Sequence, residues 1–390
     1  MTREIILISG YKICSAKLRS SVIMRSLSLI LLIATIAFGD KVSYDGYKVL
    51  RTQHLNMTTA KALQNLRLED TFDFWKDPVI GRSADIMVSP QGLKGLEDLL
   101  AAHGIHHTVM IEDVEALHQN NKRKIKVTAG YDWEDYYGHD DINDFIDGLA
   151  SGSNSDWVKT VSIGNSYEGR DMRVIEITKA GPGAPIAWIE AGIHAREWIA
   201  SATATFIINE LVNNYEANKD IVDNLNIHIL PMTNPDGYEY SRNSDRYWRK
   251  NRSPQGGCKG VDLNRNWGYH WGEAGVSNNP CSDIFCGDSP FSEIESQNVK
   301  NYVEGLNPTP VLGHTIHSYS QLWLWPYGYA YNAYPSNYRE IVILWFLIFL
   351  LRLNFFFYSY RKNWLRMPQT PFTKFTVPSL IPSTLPSFVS

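Results

Sequence analysis

Cysteine is scarce in this sequence, and neither sign of charge is in excess. Four cysteines occur in 390 residues, and none of them forms a Cys-x-x-Cys pair, which argues against a zinc ribbon or a small domain held by many disulfides. The 37 basic and 41 acidic residues give a net charge of -4. No basic surface for nucleic acid or for an acidic membrane is therefore indicated.

Three of the cysteines fall within 29 positions, from Cys258 to Cys286. This spacing suits one loop-closing disulfide in an oxidising compartment. We predict a Cys258–Cys281 bond and leave Cys286 open. No internal repeat occurs, and 44% hydrophobic with 20% charged residues is an ordinary globular composition. The length exceeds that of one average domain. We expect the protein to be a monomer.

A secretory signal pattern starts at Met24. A short basic start precedes twelve apolar residues, Leu27 to Phe38, which end in Ala37-Phe38-Gly39 and are too short to span a membrane. We predict a signal peptide over residues 24–39, a doubtful extension at 1–23, and a secreted, extracellular protein. Secretion would also make Asn56-Met57-Thr58 usable as a glycosylation sequon.

The region from Lys41 to about Asp113 predicts a small domain of its own. Its hydrophobic pattern gives the order strand, helix, strand, strand, helix, strand, which is the βαββαβ open sandwich. The predicted elements are strand Val42 to Leu50, helix Thr58 to Leu66, strand Thr71 to Trp75, strand Ala84 to Val88, helix Gly92 to Ala102 and strand His107 to Ile111.

A polar, basic stretch, Asn120 to Lys124, follows this small domain. It is typical of an exposed linker that a trypsin-like protease can cut between Lys122 and Lys124. With the signal peptide, it indicates a pro-segment over residues 41–124 and a second domain over residues 125–338.

In that second domain, strands alternate with helices of similar length, which predicts an α/β fold. We expect a mixed open sheet that is covered by helices on both faces. The predicted elements are helix Asp141 to Leu149, strands Val158 to Ile163 and Met172 to Thr178, a strand from Pro185, a helix from Trp198 to about Tyr215, strand Ile227 to Leu230, helix Glu293 to Val303 and strand Val311 to His317.

His194 and Glu197 lie three residues apart, where the strand from Pro185 crosses into a helix. Open α/β sheets place ligand sites at such crossings, and an imidazole and a carboxylate can bind one metal from such a turn. A catalytic zinc usually takes a third protein ligand. His317, at the end of the last strand, is better placed for this role than His314. Asp262 is available to hold the other ring nitrogen of His194.

Three arginines, Arg196, Arg252 and Arg265, stand among aromatic or amide residues instead of in a charge run. The arginine side chain presents a fixed fork that binds a carboxylate through two hydrogen bonds. These arginines are therefore candidates for carboxylate recognition, with a surface ion pair as the alternative for any single one.

Four motifs in order carry a resemblance to a known family: His-Ala-Arg-Glu-Trp from His194, Trp-Arg-Lys-Asn-Arg from Trp248, Asp-Leu-Asn-Arg-Asn-Trp from Asp262, and His-Ser-Tyr-Ser-Gln from His317. They closely resemble the secreted zinc metallocarboxypeptidases of the carboxypeptidase A and B type. The resemblance covers about Lys41 to Asn337, pro-segment included.

The resemblance implies a hydrolase that removes C-terminal amino acids from peptides and is made as a zymogen. One zinc ion would be bound by His194, Glu197 and His317. Asn264 and Arg265 would bind the free C-terminal carboxylate of the peptide, and Arg252 would stabilise the oxyanion. Arg196 and Tyr319 would line the adjoining subsites. The preferred terminal side chain, of the A or the B type, is left open.

The resemblance ends before two expected residues, a general-base glutamate and a mobile tyrosine. From about Arg339 to Ser390 the sequence forms an aberrant, mostly apolar tail. One interpretation is a membrane anchor, although Arg352 would fall near its centre. The other is a translated intron followed by the next exon out of frame, because codons for Trp364 to Val377 in a shifted frame allow a sequence similar to the family's helix.

We therefore expect a carboxypeptidase fold without its last part, and negligible activity in the chain as written. Two rival interpretations remain at this point. One is a catalytically dead protein that still binds peptides through Asn264 and Arg265. The other is a membrane-anchored peptidase that uses the apolar tail.

Overall fold

The computed structural model describes residues 41–68, 72–120, 131–133 and 135–341, apart from 321, 323, 325, 331 and 332. The predicted extension and signal peptide, the cleavage linker at Lys122 to Lys124, and the tail beyond residue 341 lie outside the described residues. Among the residues that the structure does describe, no helix has the length and apolar character needed to cross a bilayer.

The first domain has the predicted βαββαβ order. Its sheet is ordered β2-β3-β1-β4, and every neighbouring pair is antiparallel. A short helix that the sequence pattern did not predict follows the last strand. The elements are β1 (Lys48–Thr52), α1 (Met57–Leu68), β2 (Asp73–Lys76), β3 (Asp85–Val88), α2 (Leu93–Ala102), β4 (His107–Ile111) and α3 (Val114–Asn120).

Strand β1 begins at Lys48, six residues later than the prediction from Val42. The preceding residues contact the second domain instead: Val42 N donates to Ser244 O at 2.9 Å, and the Tyr44 hydroxyl donates to Asp245. The apolar residues that suggested an early strand therefore belong to an interface between domains.

The two faces of this small sheet have different partners. Because side chains alternate along a strand, Leu50 and Ile86 point to the helix face and pack with Leu63 of α1 and Leu96 of α2. Val49, on the opposite face, packs in a cluster that includes partly buried Tyr247 of the second domain. Helices thus cover one face of the sheet, and the second domain covers the other.

The second domain is built on a five-stranded mixed sheet of order β11-β7-β8-β6-β5. β7 pairs in parallel with both β8 and β11, whereas β5, β6 and β8 pair in an antiparallel manner. The elements are α4 (His139–Leu149), β5 (Val158–Asn165), β6 (Asp171–Ile177), β7 (Ile186–Ala191), α5 (Trp198–Asn213), α6 (Tyr215–Val222), β8 (Asn226–Leu230), α7 (Pro235–Asn243), β9 (Pro254–Gln255), β10 (Cys258–Lys259), α8 (Ile294–Glu304) and β11 (Leu312–Ile316).

Helices cover both faces of this sheet, as predicted. On one face, Ile146 of α4 and Ile208 of α5 pack against Ile175 and Ile229. On the other, Val299 of α8 packs in a separate apolar cluster. Such two-sided burial explains why β7 is apolar apart from Glu190, and why all five residues of β8 are buried, including Asn226 and His228.

Two differences from the predicted elements have local causes. The long helix ends at Asn213, and a second helix, α6, begins at Tyr215. Helix α7 was not predicted, because its signals are at its start and not in its periodicity. Asn234 caps it by accepting a hydrogen bond from Gly237 N at 3.0 Å, and Pro235 occupies its first turn.

The parallel pairing of β7 and β11 determines where the candidate ligands emerge. Ile316 is in register with Ala191, so both strands end at the same edge of the sheet. Gly192 follows with φ +70°, and a Cβ there would lie 2.6 Å from Ser201 Oγ. Glycine thus permits the turn that carries the chain from β7 to His194, while His317 directly follows β11.

The predicted disulfide between Cys258 and Cys281 is present, with the Cα atoms 5.3 Å apart. Cys286 is free and buried, and burial raises the pKa of its thiol. The disulfide joins β10 to Cys281 and closes a loop that includes Asp262.

Candidate metal centre

Three side chains converge where β7 and β11 end. His194 Nδ1 lies 2.8 Å from Glu197 Oε1, and His317 Nδ1 lies 3.2 Å from His194 Nδ1 and 3.1 Å from Glu197 Oε2. Tetrahedral ligands at zinc–ligand distances of ~2.0 Å lie about 3.3 Å apart. Two nitrogens and one carboxylate at these separations therefore fit a shared zinc ion. Within the described residues this is the group that can hold a metal, and His314 is not part of it.

The group is buried on one side and open on the other. The His194 and Glu197 side chains are 5% and 9% exposed, whereas that of His317 is 34% exposed. Burial alone would raise the pKa of Glu197, but the charges and hydrogen bonds of His194 and His317 outweigh it and hold the pKa far below its usual range. Glu197 is therefore an anionic ligand at neutral pH.

Asp262 stands behind His194, as the sequence suggested. Its Oδ1 lies 3.2 Å from His194 Nε2, although the ring N–H is poorly aligned for a hydrogen bond. The same Oδ1 accepts a hydrogen bond from Asn264 N at 3.0 Å. Its Oδ2 accepts bonds from Arg249 Nε and Nη2 at 3.1 and 2.8 Å. Burial opposes ionisation, but Arg249, His194 and Arg265 hold the pKa of Asp262 well below its usual value.

The sequence interpretation gave Arg249 no role. Its side chain pairs with Asp262, and its backbone carbonyl accepts a hydrogen bond from Ala195 N at 3.0 Å. Arg249 therefore joins the aspartate to the turn that carries His194. A signal existed, because an aspartate between Val261 and Leu263 is a buried charge that needs a cation.

Arg252, the predicted oxyanion residue, lies against aromatic rings. Its guanidinium carbon is 3.5 Å from the centroid of the Tyr240 ring and 4.6 Å from that of Trp248. Its Nε is buried without a hydrogen bond among the described residues. Stacking on two rings fixes the plane of the guanidinium.

Asn264 and Arg265 follow Asp262 in a short 3-10 turn that spans Leu263–Arg265. Arg265 Nε donates to Gly275 O at 2.8 Å, and Nη1 donates to Asn264 O at 3.0 Å. Burial lowers the pKa of Arg265, although Asp262 opposes this effect. The turn thus places both predicted carboxylate-binding residues next to the aspartate that faces His194.

Arg196 and Tyr319 both contact the first domain. Arg196 Nη1 donates to the two carboxylate oxygens of Asp73 at 3.0 and 2.9 Å. The Tyr319 hydroxyl donates to Asp85, which also accepts bonds from Arg51 at 2.6 and 2.7 Å. Burial, reinforced by Asp85, raises the pKa of Tyr319. The two predicted subsite residues are therefore occupied by carboxylates of the first domain.

The sequence interpretation did not single out Asp73 or Asp85. Asp85 carried a signal, because it is a charged residue in the otherwise apolar strand β3 and its side chain is fully buried. A buried carboxylate requires a cation or several donors. The sequence could not show that one of those donors lies more than 200 positions away.

Two histidines and one carboxylate that converge where two parallel strands end are typical of mononuclear zinc hydrolases that keep a position open for reaction. The comparisons with known proteins narrow this class. Residues 142–369 match the family described as zinc carboxypeptidase, and residues 51–121 match the carboxypeptidase activation peptide. The first match continues past Asn337, where the four-motif resemblance ends.

Individual relatives agree with the family match. Carboxypeptidase B of Astacus astacus is 44% identical over 213 residues, which cover 54% of this chain and 70% of the relative. Zinc carboxypeptidase A 1 of Drosophila melanogaster is 36% identical over 311 residues, 77% of this chain and 72% of the relative. The crystal structure of the carboxypeptidase A from Helicoverpa armigera superposes with a TM-score of 0.70 at 28% identity, covering 77% of this chain and 76% of that one.

The chain belongs to the zinc carboxypeptidase family. Members are zinc-dependent hydrolases, and this chain also carries the family's activation peptide. The predicted family, fold class and cofactor are thereby confirmed, whereas the missing last part of the fold, the roles of the individual site residues and the domain boundaries stay predictions.

Replacing Asp262 by Asn should lower the affinity for zinc about 10- to 100-fold, the usual effect of losing a carboxylate behind a histidine ligand. Competition with a chromogenic chelator on the purified full chain measures this affinity. Asp98→Asn, at an exposed position on α2, is the matched control. An affinity within twofold of wild type for Asp262→Asn would show that the carboxylate does not hold His194.

Proposed function

We propose that this chain is the zymogen of a secreted metallocarboxypeptidase, an exopeptidase that acts on peptide C-termini. His194, Glu197 and His317 bind its zinc. The observation that carries the proposal is the convergence of these three donors at one sheet edge, while Arg196 and Tyr319 contact carboxylates of the first domain. A trypsin-like protease activates the zymogen by cutting between Lys122 and Lys124.

The side chains around the three zinc ligands have different roles toward a peptide substrate. Arg265 and Asn264 bind the C-terminal carboxylate, because a guanidinium fork matches a carboxylate in geometry and charge. Arg252, held in plane by Tyr240 and Trp248, donates to the scissile carbonyl oxygen as negative charge develops there. Zinc, when bound, supplies Lewis acidity toward that carbonyl and toward water.

Peptide hydrolysis also needs a base that takes a proton from water and returns it to the leaving amine. The resemblance puts this glutamate after His317 and well beyond Glu340, and residues 341–390 contain neither aspartate nor glutamate. Glu197 cannot replace it, because it is a ligand whose pKa is held far below neutrality. We therefore propose that the 390-residue chain binds zinc and peptides but turns them over at a negligible rate.

After cleavage and removal of the pro-segment, the chain should bind an N-acylated dipeptide with a free carboxylate and leave the peptide uncleaved. Arg265→Gln should weaken binding about 10- to 100-fold, because a charge-assisted hydrogen bond is lost. Titration calorimetry measures the affinity, and mass spectrometry of the same samples detects hydrolysis.

Two controls make this test specific. Lys159→Gln removes one positive charge from exposed β5, at the sheet edge opposite to β11, and should leave the affinity unchanged. The same dipeptide with an amidated C-terminus should bind the wild-type chain no more tightly than the free-acid dipeptide binds Arg265→Gln. Hydrolysis at a rate normal for a carboxypeptidase would refute the proposed loss of activity, and equal binding of the amide would refute the carboxylate site.

A second candidate function, a peptide-binding protein without catalysis, is favoured by the same combination of intact carboxylate-binding residues and a missing base. Peptide binding without turnover, measured on a protein of this length that a natural transcript encodes, would support it. The membrane-anchored alternative depends on residues 341–360, of which all but Ile341 lie outside the described residues, and detergent-dependent extraction would support it.

Removing the two pro-segment carboxylates in Asp73→Asn/Asp85→Asn should weaken the binding of the cleaved pro-segment about 10- to 100-fold, because Arg196 and Tyr319 lose their partners in a largely buried contact. Size-exclusion chromatography after trypsin cleavage, followed by a dissociation-rate measurement, tests this. Asp98→Asn changes the same charge at an exposed site and should have no effect. An unchanged dissociation rate in the double variant would contradict this mode of inhibition.

A further inference from the structure

The sequence contains two Asn-x-Ser/Thr sequons in which x is not proline, Asn56-Met57-Thr58 and Asn251-Arg252-Ser253. An N-linked glycan forms on the side-chain Nδ2 of such an asparagine. The fold treats the two asparagines in opposite ways, so it distinguishes a usable site from an unusable one.

Asn251 has no room for a sugar in the folded protein. It is fully buried, and its Nδ2 donates to Glu293 at 2.7 Å and to Glu295 at 3.0 Å. Its Oδ1 accepts a bond from Val261 N at 2.8 Å. A glycan on Nδ2 would remove donors from two buried carboxylates, which is incompatible with this packing.

Asn56 is exposed and immediately precedes α1. Its Oδ1 accepts hydrogen bonds from Thr59 N and Thr59 Oγ1 at 3.0 and 3.1 Å, and its own N donates to Thr59 Oγ1 at 2.9 Å. Oδ1 therefore caps the helix, whereas Nδ2 makes no hydrogen bond to any described residue. A sugar on Nδ2 leaves the capping oxygen in place.

We infer that Asn56 is an N-glycosylation site, which carries an oligosaccharide when the chain enters the secretory pathway. The inference rests on the proposed secretion. Nδ2 forms a bond to the anomeric carbon of a lipid-pyrophosphate-linked oligosaccharide, the bond from that carbon to the pyrophosphate oxygen breaks, and a base of the transferase takes the amide proton. The glycan then belongs to the pro-segment and leaves with it on activation.

The test uses the full chain expressed in a eukaryotic secretory host, with intact mass measured before and after peptide-N-glycosidase. We expect one glycan, and after trypsin cleavage it should be confined to the pro-segment fragment. Met57 provides a matched pair of variants, because it is 70% exposed and is the first residue of α1. Proline is tolerated at that position of a helix but abolishes the sequon, whereas glutamine retains it.

Met57→Pro should therefore abolish the glycan, and Met57→Gln should retain it, with Asn56, Thr58 and the helix cap present in both. A wild-type chain without a glycan, or a glycan on the fragment that contains Asn251, would overturn the inference. Formation of the Cys258–Cys281 disulfide separates the two levels of failure. An unglycosylated but oxidised chain leaves secretion standing, and an unglycosylated, reduced chain contradicts both.

Discussion

The arrangement of the site depends on one buried carboxylate, that of Asp262. A charge removed from water is tolerated only when cations and hydrogen-bond donors surround it, and Asp262 meets this requirement with Arg249, the backbone of Asn264 and the ring of His194. Arg249 is also tied to the β7–α5 turn through its carbonyl. The same ion pair therefore lies behind the ring of His194 and fixes both ends of the segment 249–262, which carries Arg252 and closely precedes Asn264 and Arg265.

The arginines near the group of His194, Glu197 and His317 also affect how the two domains contact each other in the uncleaved chain. Cations directed at a substrate carboxylate also attract any other carboxylate that can reach them. The first domain supplies such groups: Asp73 binds Arg196, and Asp85 binds Tyr319. The contact between the domains also includes an aromatic stack of Trp75 on Tyr247, with the ring centroids 4.8 Å apart. The first domain thus contacts Arg196 and Tyr319 through carboxylates, the same kind of group that the proposed peptide binding would use.

The sequence predicted what depends on local pattern. The βαββαβ order, the mixed sheet and the strand-to-helix crossing at His194 followed from periodicity, and the parallel register of β7 and β11 then brings His317 to that crossing. Contacts between distant residues could not be predicted this way. Arg249–Asp262 and Asp85–Tyr319 are chosen by tertiary packing, and the start of β1 was placed too early because Val42 and Tyr44 contact the second domain. Helix α7, with little apolar periodicity, was missed for the same reason: its stability comes from its surroundings.

The central claim is that His194, Glu197 and His317 together hold one zinc ion, whatever the catalytic competence of the chain. The most direct test is the zinc content of the purified, dialysed protein, measured by mass spectrometry of the metal. Wild type is compared with a variant of His314, which lies in β11, and with a variant of His317, which directly follows that strand. We expect about one zinc per chain in wild type and in His314→Ala, and a loss of most of it in His317→Ala, because a site with two remaining ligands binds zinc weakly. Full zinc occupancy in His317→Ala, or loss of zinc in a correctly folded His314→Ala, would contradict this claim.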